Sequence, residues 1–314
     1  MKSTLLFIGV LAIGCGTSNQ DPGPDYVAGF DPGPVPDGYT RFLTPIVPNL
    51  APGANIEYCQ WVAAASDSTQ DVLDLVGKQS LTGHHAILYA TTNTSFPVGE
   101  SHECTVADMI PLSFVGAIGG EGNASASHYL PEGLYFRLPP GQALMINSHW
   151  LNATDNEVDG QSSVDVKFAP ASDSRVAADL FASNGDVFTI PANGSQTYDN
   201  SCVLKEDLNL AMVTNHMHTN GTSIYTEVQH ANGTSEILVA DNPWSPEEQF
   251  NPTYARYTVA APLALHQGDT VHTHCEWTNT TGTDLMFPDE MCVSSGFYFP
   301  GHGEIICDDG GWAD

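Results

Sequence analysis

What most constrains this chain is the grain of its apolar residues. From Thr40 onward they come in short runs, alternating with polar residues and cut at frequent intervals by Gly, Pro, Asn or Asp. A period of two sends alternate side chains to one face of a strand, and the breaks are turn formers. An apolar period of 3.6 sustained over about ten residues, which a packed helix needs, is absent. The runs predict strands at 57–63, 71–76, 84–90, 134–138, 143–151 and 163–168. After a loop-like break at 170–175 they predict more at 186–190, 208–214, 223–229, 236–240, 257–261, 270–278 and 292–300. The expectation is an all-β chain of two tandem antiparallel β-sandwich, jelly-roll-like domains, 40–170 and 171–314, with few helices.

Two segments precede that region and are expected to lie outside the folded domains. Residues 1–15 carry one positive side chain, Lys2, then an apolar stretch too short to span a bilayer, then small residues leading into Cys15. The pattern resembles a bacterial lipoprotein signal, whose cysteine is lipidated and becomes the new N-terminus. Secretion to the periplasm or beyond after ordinary cleavage is the alternative. Residues 16–39 are rich in Pro, Gly and Asp, with the half-repeated phrases Asp21-Pro-Gly-Pro and Asp31-Pro-Gly-Pro, and read as an extended tether. An exported chain follows, held at the outer membrane or cell surface and touching lipid only through its anchor. Net charge is −29, from 8 Lys and Arg against 37 Asp and Glu. Without a cationic surface to displace phosphate counterions, nucleic acid is excluded as a partner. Setting Cys15 aside, Cys59, Cys104, Cys202, Cys275, Cys292 and Cys307 remain, none in a CxxC. An even number in an exported chain reads as three disulfides, with the connectivity open. Oligomeric state is not legible.

Metal chemistry enters through histidine. His216 and His218 are two residues apart, so on a strand both imidazoles leave the same face. Such a pair is half of a transition-metal site. Met291, in Asp289-Glu290-Met291-Cys292, is the residue to complete it. Two charges ahead of it put it at a strand entrance rather than mid-core, and thioether with imidazole favours copper, Cu(I) especially. His84 and His85 are adjacent and would point to opposite faces of a regular strand. They reach one ion only across an irregularity, which Gly83 permits. His149 lies within an apolar run. Taken singly, each has a blander reading as a packed or exposed histidine, or as a methionine filling core. His272 and His274 repeat the His-x-His spacing beside Cys275. They are the competing pair, drawn toward Met291 if Cys275 pairs with Cys292. His102, His128, His230, His266 and His302 have no partner at suggestive spacing and read as surface or structural.

Four phrases in order carry a resemblance: Gly83-His-His-Ala-Ile-Leu-Tyr, Leu138-Pro-Pro-Gly followed by the His149 run, His216-Met-His218, and Asp289-Glu-Met-Cys292. Over residues 40–310 the chain resembles the copper type II, ascorbate-dependent monooxygenases, the family of peptidylglycine α-hydroxylating monooxygenase and dopamine β-monooxygenase. The resemblance implies two copper ions. His84, His85 and His149 would hold an electron-storing ion in the first domain. His216, His218 and Met291 would hold an oxygen-binding, catalytic ion in the second. It further implies disulfides Cys59–Cys104, Cys202–Cys307 and Cys275–Cys292, and hydroxylation of a C–H bond with O2 and a one-electron reductant such as ascorbate. Departures bear on the substrate. Thr214, Val293 and Ser295 stand where the peptide-amidating members have an arginine, an asparagine and a tyrosine that grip a peptide carboxylate. A small organic substrate is therefore expected rather than a peptide. Ala86 replaces a methionine common after the histidine pair, and Thr91 stands at the position of an absent cysteine. The competing expectation is a surface lipoprotein that binds or sequesters copper without catalysis.

Overall fold

The structure, a computed structural model, describes residues 26–313 other than 110–111, 119–125, 128–129, 186, 250–251, 288 and 309–310. Residues 1–15, expected to form a signal ending at Cys15, and His128 lie outside the described residues. The first domain supplies β1 (Asn55–Ala63), β2 (Gln70–Gln79), β3 (Gly83–Thr91), β4 (Leu112–Ile118), β5 (Leu134–Leu138), β6 (Ala143–Leu151) and β7 (Ser162–Pro170). The second supplies β8 (Asp179–Gly185), β9 (Ser195–Val203), β10 (Leu208–His216), β11 (Gly221–Gln229), β12 (Ser235–Asp241), β13 (Thr270–Thr278) and β14 (Cys292–Phe299).

Both domains are two-sheet sandwiches, as the alternation of apolar residues requires. In the first, one sheet runs Thr40–Leu43, β7, β2, β5, and ends on Val176–Ala177, which lies parallel to β5. The other runs Ser101–Glu103, β1, β6, β3, β4, antiparallel throughout. In the second domain Tyr254–Arg256, β10, β14 and β8 form one sheet, continued by Ile305–Asp308 and Gly311–Ala313. The facing sheet is β9, β13, β11, β12. Helix is confined, among the described residues, to Val106–Met109 and a 3-10 turn at Pro246–Gln249. No helix among these residues is long and apolar enough to cross a membrane.

β10 shows why one stretch, 210–213, is continuously apolar. Leu208, Leu210 and Val213 face the second domain's own core. Ala211 and Met212 face the first domain, packed with Phe297 and Phe299 of β14 into a core shared with Leu88, Ile118, Phe136 and Val166. A register shift between Leu210 and Met212 resets the alternation, so that even positions before it and odd positions after it face the second domain's core. Both faces are covered, so the pattern runs apolar without alternation.

Two sequence-predicted strands are not formed as expected. Of the strand expected at 186–190, the described residues 187–190 form only an isolated bridge from Ile190 to Leu285, and a strand lies earlier, at Asp179–Gly185. At 257–261 the chain turns, with Thr258 bridged to Ala261, and the strand is Tyr254–Arg256. β4 and β9 are strands that the pattern did not predict. The three disulfides join Cys59 to Cys104, Cys202 to Cys307 and Cys275 to Cys292.

Candidate metal centres

The first group of imidazoles forms at the β3–β6 edge of the first domain. His149 pairs with His85 across the two strands, and the next pair is Trp150 with Gly83. His84 is therefore the extra residue of a bulge, which turns its side chain to the face of its neighbour. Gly83 is needed for this, because a β-carbon there would lie 2.3 Å from the Gln79 β-carbon. The ligand atoms of His84, His85 and His149 all lie within 4.8 Å of one another. His84 Nδ1 and His85 Nδ1 are 2.8 Å apart.

Hydrogen bonding fixes which nitrogen His149 can offer. Its Nε2–H donates to Asn55 Oδ1 at 2.5 Å, leaving Nδ1 as a lone pair, and that atom is buried with no hydrogen-bond partner. Burial, then the charges of His149 and His218, pushes the His84 pKa down to about 3. Burial also holds His85 well below its ordinary value. His149 is lowered by burial against the raising pull of Glu57. All three are neutral imidazoles near pH 7, the state in which histidine binds a metal.

The second group lies where β10 ends. His216 and His218 have ring centroids 5.1 Å apart, while Met217 between them is buried on the opposite side, beside Trp244 and Trp277. The His218 ring donates from Nδ1 to the Asp289 carbonyl at 3.0 Å, so Nε2 carries the lone pair. The His218 amide donates to Glu290 Oε2 at 3.0 Å. Glu290 Oε1 accepts from the Asn220 amide at 2.6 Å and from Asn220 Nδ2 at 2.9 Å. Trp244 Nε1 donates to the His218 carbonyl at 3.0 Å. Half-buried Met291 sits between Glu290 and Cys292, and two residues further Val293 pairs with His216. The backbone at Met291 is thus tied to both histidines, and the Cys275–Cys292 disulfide anchors it from behind. Burial, then His218 and His84, lowers the His216 pKa to about 3.

The two groups face each other across the domain boundary. They are close enough that a proton on His218 disfavours one on His84, His85 or His149, and a proton on His84 disfavours one on His216. On the face of β10 and β14 turned to the first domain, Thr214 pairs with Ser295 and His216 with Val293. The Thr214 hydroxyl donates to the Thr253 carbonyl at 2.7 Å. The first group, all imidazole with one buried nitrogen lacking a hydrogen-bond partner, is a donor set that suits copper.

His272 and His274 are not near Met291. On β13, Val271, Thr273, Cys275 and Trp277 point inward, and the two histidines point outward from the other face. The disulfide that seemed to draw them toward Met291 leaves the strand on the opposite side. His102, His230, His266 and His302 each lie against a carboxylate, from Asp108, Asp269, Asp207 and Glu206 respectively. Sequence reasoning missed Asn55, Glu290 and Trp244. Glu290 stood inside the Asp-Glu-Met-Cys phrase, read there only as a charge at a strand entrance, yet it is fully buried. Asn55 and Trp244 carried no local signal.

Among known families, residues 179–311 match the model described as copper type II ascorbate-dependent monooxygenase, C-terminal domain. No curated protein matches the chain. Solved structures similar to it include the major capsid protein P2 of bacteriophage PM2, at 10% identity and TM-score 0.38, over 83% of this chain and 97% of that one. The PBSX exported protein XepA is similar at 8% identity and TM-score 0.24, over 82% of this chain and 86% of that one. Likenesses this distant carry no argument.

Proposed function

The chain is a member of the copper type II, ascorbate-dependent monooxygenase family through residues 179–311, and on that premise we propose that it hydroxylates a C–H bond of a small organic molecule. It does so with O2, a one-electron reductant such as ascorbate, and two copper ions. The observation that carries the reading is the convergence of His84, His85 and His149, opposite the His216–His218 pair. Copper, when bound, supplies one-electron storage at the first group and activation of O2 at the second.

The chain's own residues divide that work. His84, His85 and His149 would hold one ion in an all-nitrogen set serviceable for both Cu(I) and Cu(II). His216, His218 and Met291 would hold the other, where sulfur favours Cu(I). Asn55 and the Asp289 carbonyl each take a ring N–H, so that His149 presents Nδ1 and His218 presents Nε2. Glu290 keeps the His218 loop against the turn that carries Met291 into β14. Thr214, Val293 and Ser295, small and neutral, border His216 and offer no cation to a terminal carboxylate. That supports a small neutral substrate over a peptide acid. The reading includes export, with which the three disulfides are compatible, lipidation at Cys15, membrane contact only through that anchor, and no nucleic-acid partner.

The test is oxygen consumption by copper-loaded protein with ascorbate and a broad panel of small organic substrates, alongside metal analysis and electron paramagnetic resonance. Expected are two coppers per chain, turnover that needs both copper and reductant, and loss of about half the metal with all turnover in His216→Ala. Two tightly bound coppers without turnover for any reductant or substrate would replace this reading with copper sequestration.

A further inference from the structure

The two sandwiches repeat one another at the metal groups. In the first, Trp150 pairs with Gly83 and His149 with His85, which leaves His84 as the extra residue. In the second, Trp277 pairs with Gly221 and Glu276 with Ser223, which leaves Thr222. The Gly83 amide donates to the Ser80 carbonyl at 3.1 Å, and the Gly221 amide to the His218 carbonyl at 3.2 Å. Lys78 of β2 pairs with Ser163 of β7, as His216 of β10 pairs with Val293 of β14. Counted along the strands from these pairs, the places that His216, His218 and Met291 take in the second domain are taken in the first by Lys78, Ser80 and Gln161.

Residues 27–33, part of the stretch expected to be an extended tether, are docked at this counterpart instead. The Val27 amide donates to Gln161 Oε1 at 3.1 Å, and a β-carbon at Gly33 would lie 3.8 Å from Lys78 Nζ. Val27, Phe30 and Pro32 are buried. The Phe30 amide closes a turn onto the Val27 carbonyl at 2.9 Å, with Gly29 at φ +80°. Arg41 Nη1 donates to the Gly33 carbonyl at 2.7 Å, while its Nε and Nη2 are held by Asp165 at 2.7 and 2.6 Å. From Gln161 the contacts lead to the bulge. The Ser80 amide donates to the Gln161 carbonyl at 2.9 Å, and the Gln161 amide to Ser80 Oγ at 3.0 Å, both residues being buried. The Ser80 carbonyl then takes the amide of Gly83, the residue before His84. We propose that residues 27–33 are a strap that positions the first imidazole group, acting through Gln161 and the turn from Ser80 to Gly83. Gln161 is the positioning residue: its side chain reads the strap, and its backbone holds the turn from which the His84 bulge starts. The proposal rests on the reading of His84, His85 and His149 as copper ligands, and the test below separates the two.

The test compares the full-length wild type with Val27→Ser/Phe30→Ser, which removes two of the strap's buried anchors, and with Gln161→Met, which keeps the volume but removes the acceptor. In metal-free protein, hydrogen exchange read by mass spectrometry should be about tenfold faster over residues 80–85 in both variants. In copper-loaded protein, competition with a Cu(I) chelator should weaken by about 10–100-fold the one copper that His149→Ala removes, and leave the other at wild-type affinity. The retained second copper and an unchanged far-ultraviolet circular dichroism spectrum show that each variant is folded. Wild-type exchange over 80–85 with two wild-type affinities would overturn the proposal. Equal weakening of both coppers would overturn it too, since the strap would then be a general stabiliser. A wild type from which His149→Ala removes no copper would sink the oxygenase reading, while the exchange result still decides whether the strap holds the turn.

Discussion

Replacing Gly83 by alanine tests whether the bulge at the start of β3 is what gathers the first three imidazoles. The added β-carbon would lie 2.3 Å from Gln79 Cβ and 2.9 Å from Gln79 Cδ. Ordinary contact between carbons is about 3.5–4.0 Å, so the two backbones must part by more than about 1 Å. Gln79 cannot rotate away from the clash, because its β-carbon is fixed to the backbone of β2 and the residue is fully buried. Forced overpacking of this kind costs about 1–3 kcal/mol. The displacement falls on the residue next to His84, where metal–ligand distances tolerate only about 0.2 Å. Urea unfolding of the metal-free protein should show a lower midpoint at unchanged slope. Competition with a Cu(I) chelator should show one copper weakened by about 10–100-fold, the range seen when ligand-orienting groups are lost, and the other unaffected. An unchanged midpoint with two wild-type affinities would refute the argument that this close approach sets the site.

Three further perturbations separate the supports of the two groups. Glu290→Ala leaves the His218 and Asn220 amides without their buried acceptor, and should cost about 3 kcal/mol in chemical denaturation; wild-type stability would mean that the loop holds itself. Asn55→Ala removes the acceptor that fixes the His149 tautomer and should lower copper affinity at the first group about 10–100-fold with little change in stability. Equal affinities by chelator competition would show that the tautomer is fixed by something else. Glu304 lies at the domain boundary, where its carboxylate accepts from the Phe114 amide, and burial raises its pKa. A raised acid favours the folded state when protonated, so its contribution is present below the ordinary carboxyl value and is lost as pH rises through the folded value. In Glu304→Gln the fall in melting temperature between acid and neutral pH should be shallower than in wild type, and an identical slope would remove Glu304 from the account.

Strands buried on one face, or on both by apolar residues, were readable: β5, β6 and β13 have the bounds that their alternation predicts. β9 was not, because an edge strand with an exposed outer face needs few apolar residues, and Ser195–Val203 buries only Asn200 and Cys202. β8 hides its strand character differently. Ser183 and Asn200 are hydrogen-bonded inside the sandwich, and Gly185 lies under the Tyr198 ring, so small polar residues occupy positions where an apolar one is expected. At the metal groups the imidazoles were legible by type and spacing, and Gly83 announced the irregularity that His84 and His85 require. The residues that orient them were not. Asn55 is 94 positions from His149, and Glu290 is 72 from His218. Their roles exist only once β1 lies beside β6 and the turn before β14 lies against the His218 loop.

The separation between the two groups is set by packing rather than by loops. Phe297 of β14 lies 5.7 Å from Phe114 and 5.1 Å from Phe136 of the first domain, by ring centroids. Met212 of β10 is buried in the same shared core. From Met212 to His216 the strand is regular, so the imidazole sits about 14 Å along β10 from the point where the domains are joined. β14 begins one residue after Met291 and runs antiparallel to β10 into the same aromatic contact. Domains joined by a polar surface would be expected to hinge, whereas an apolar core shared by both resists it. On the proposed function, an electron stored at His84, His85 and His149 therefore faces an acceptor at a fixed distance. The bulge at Ala211, which resets the alternation so that Met212 and His216 share the face turned to the first domain, is as much a part of the metal arrangement as the histidine at its end.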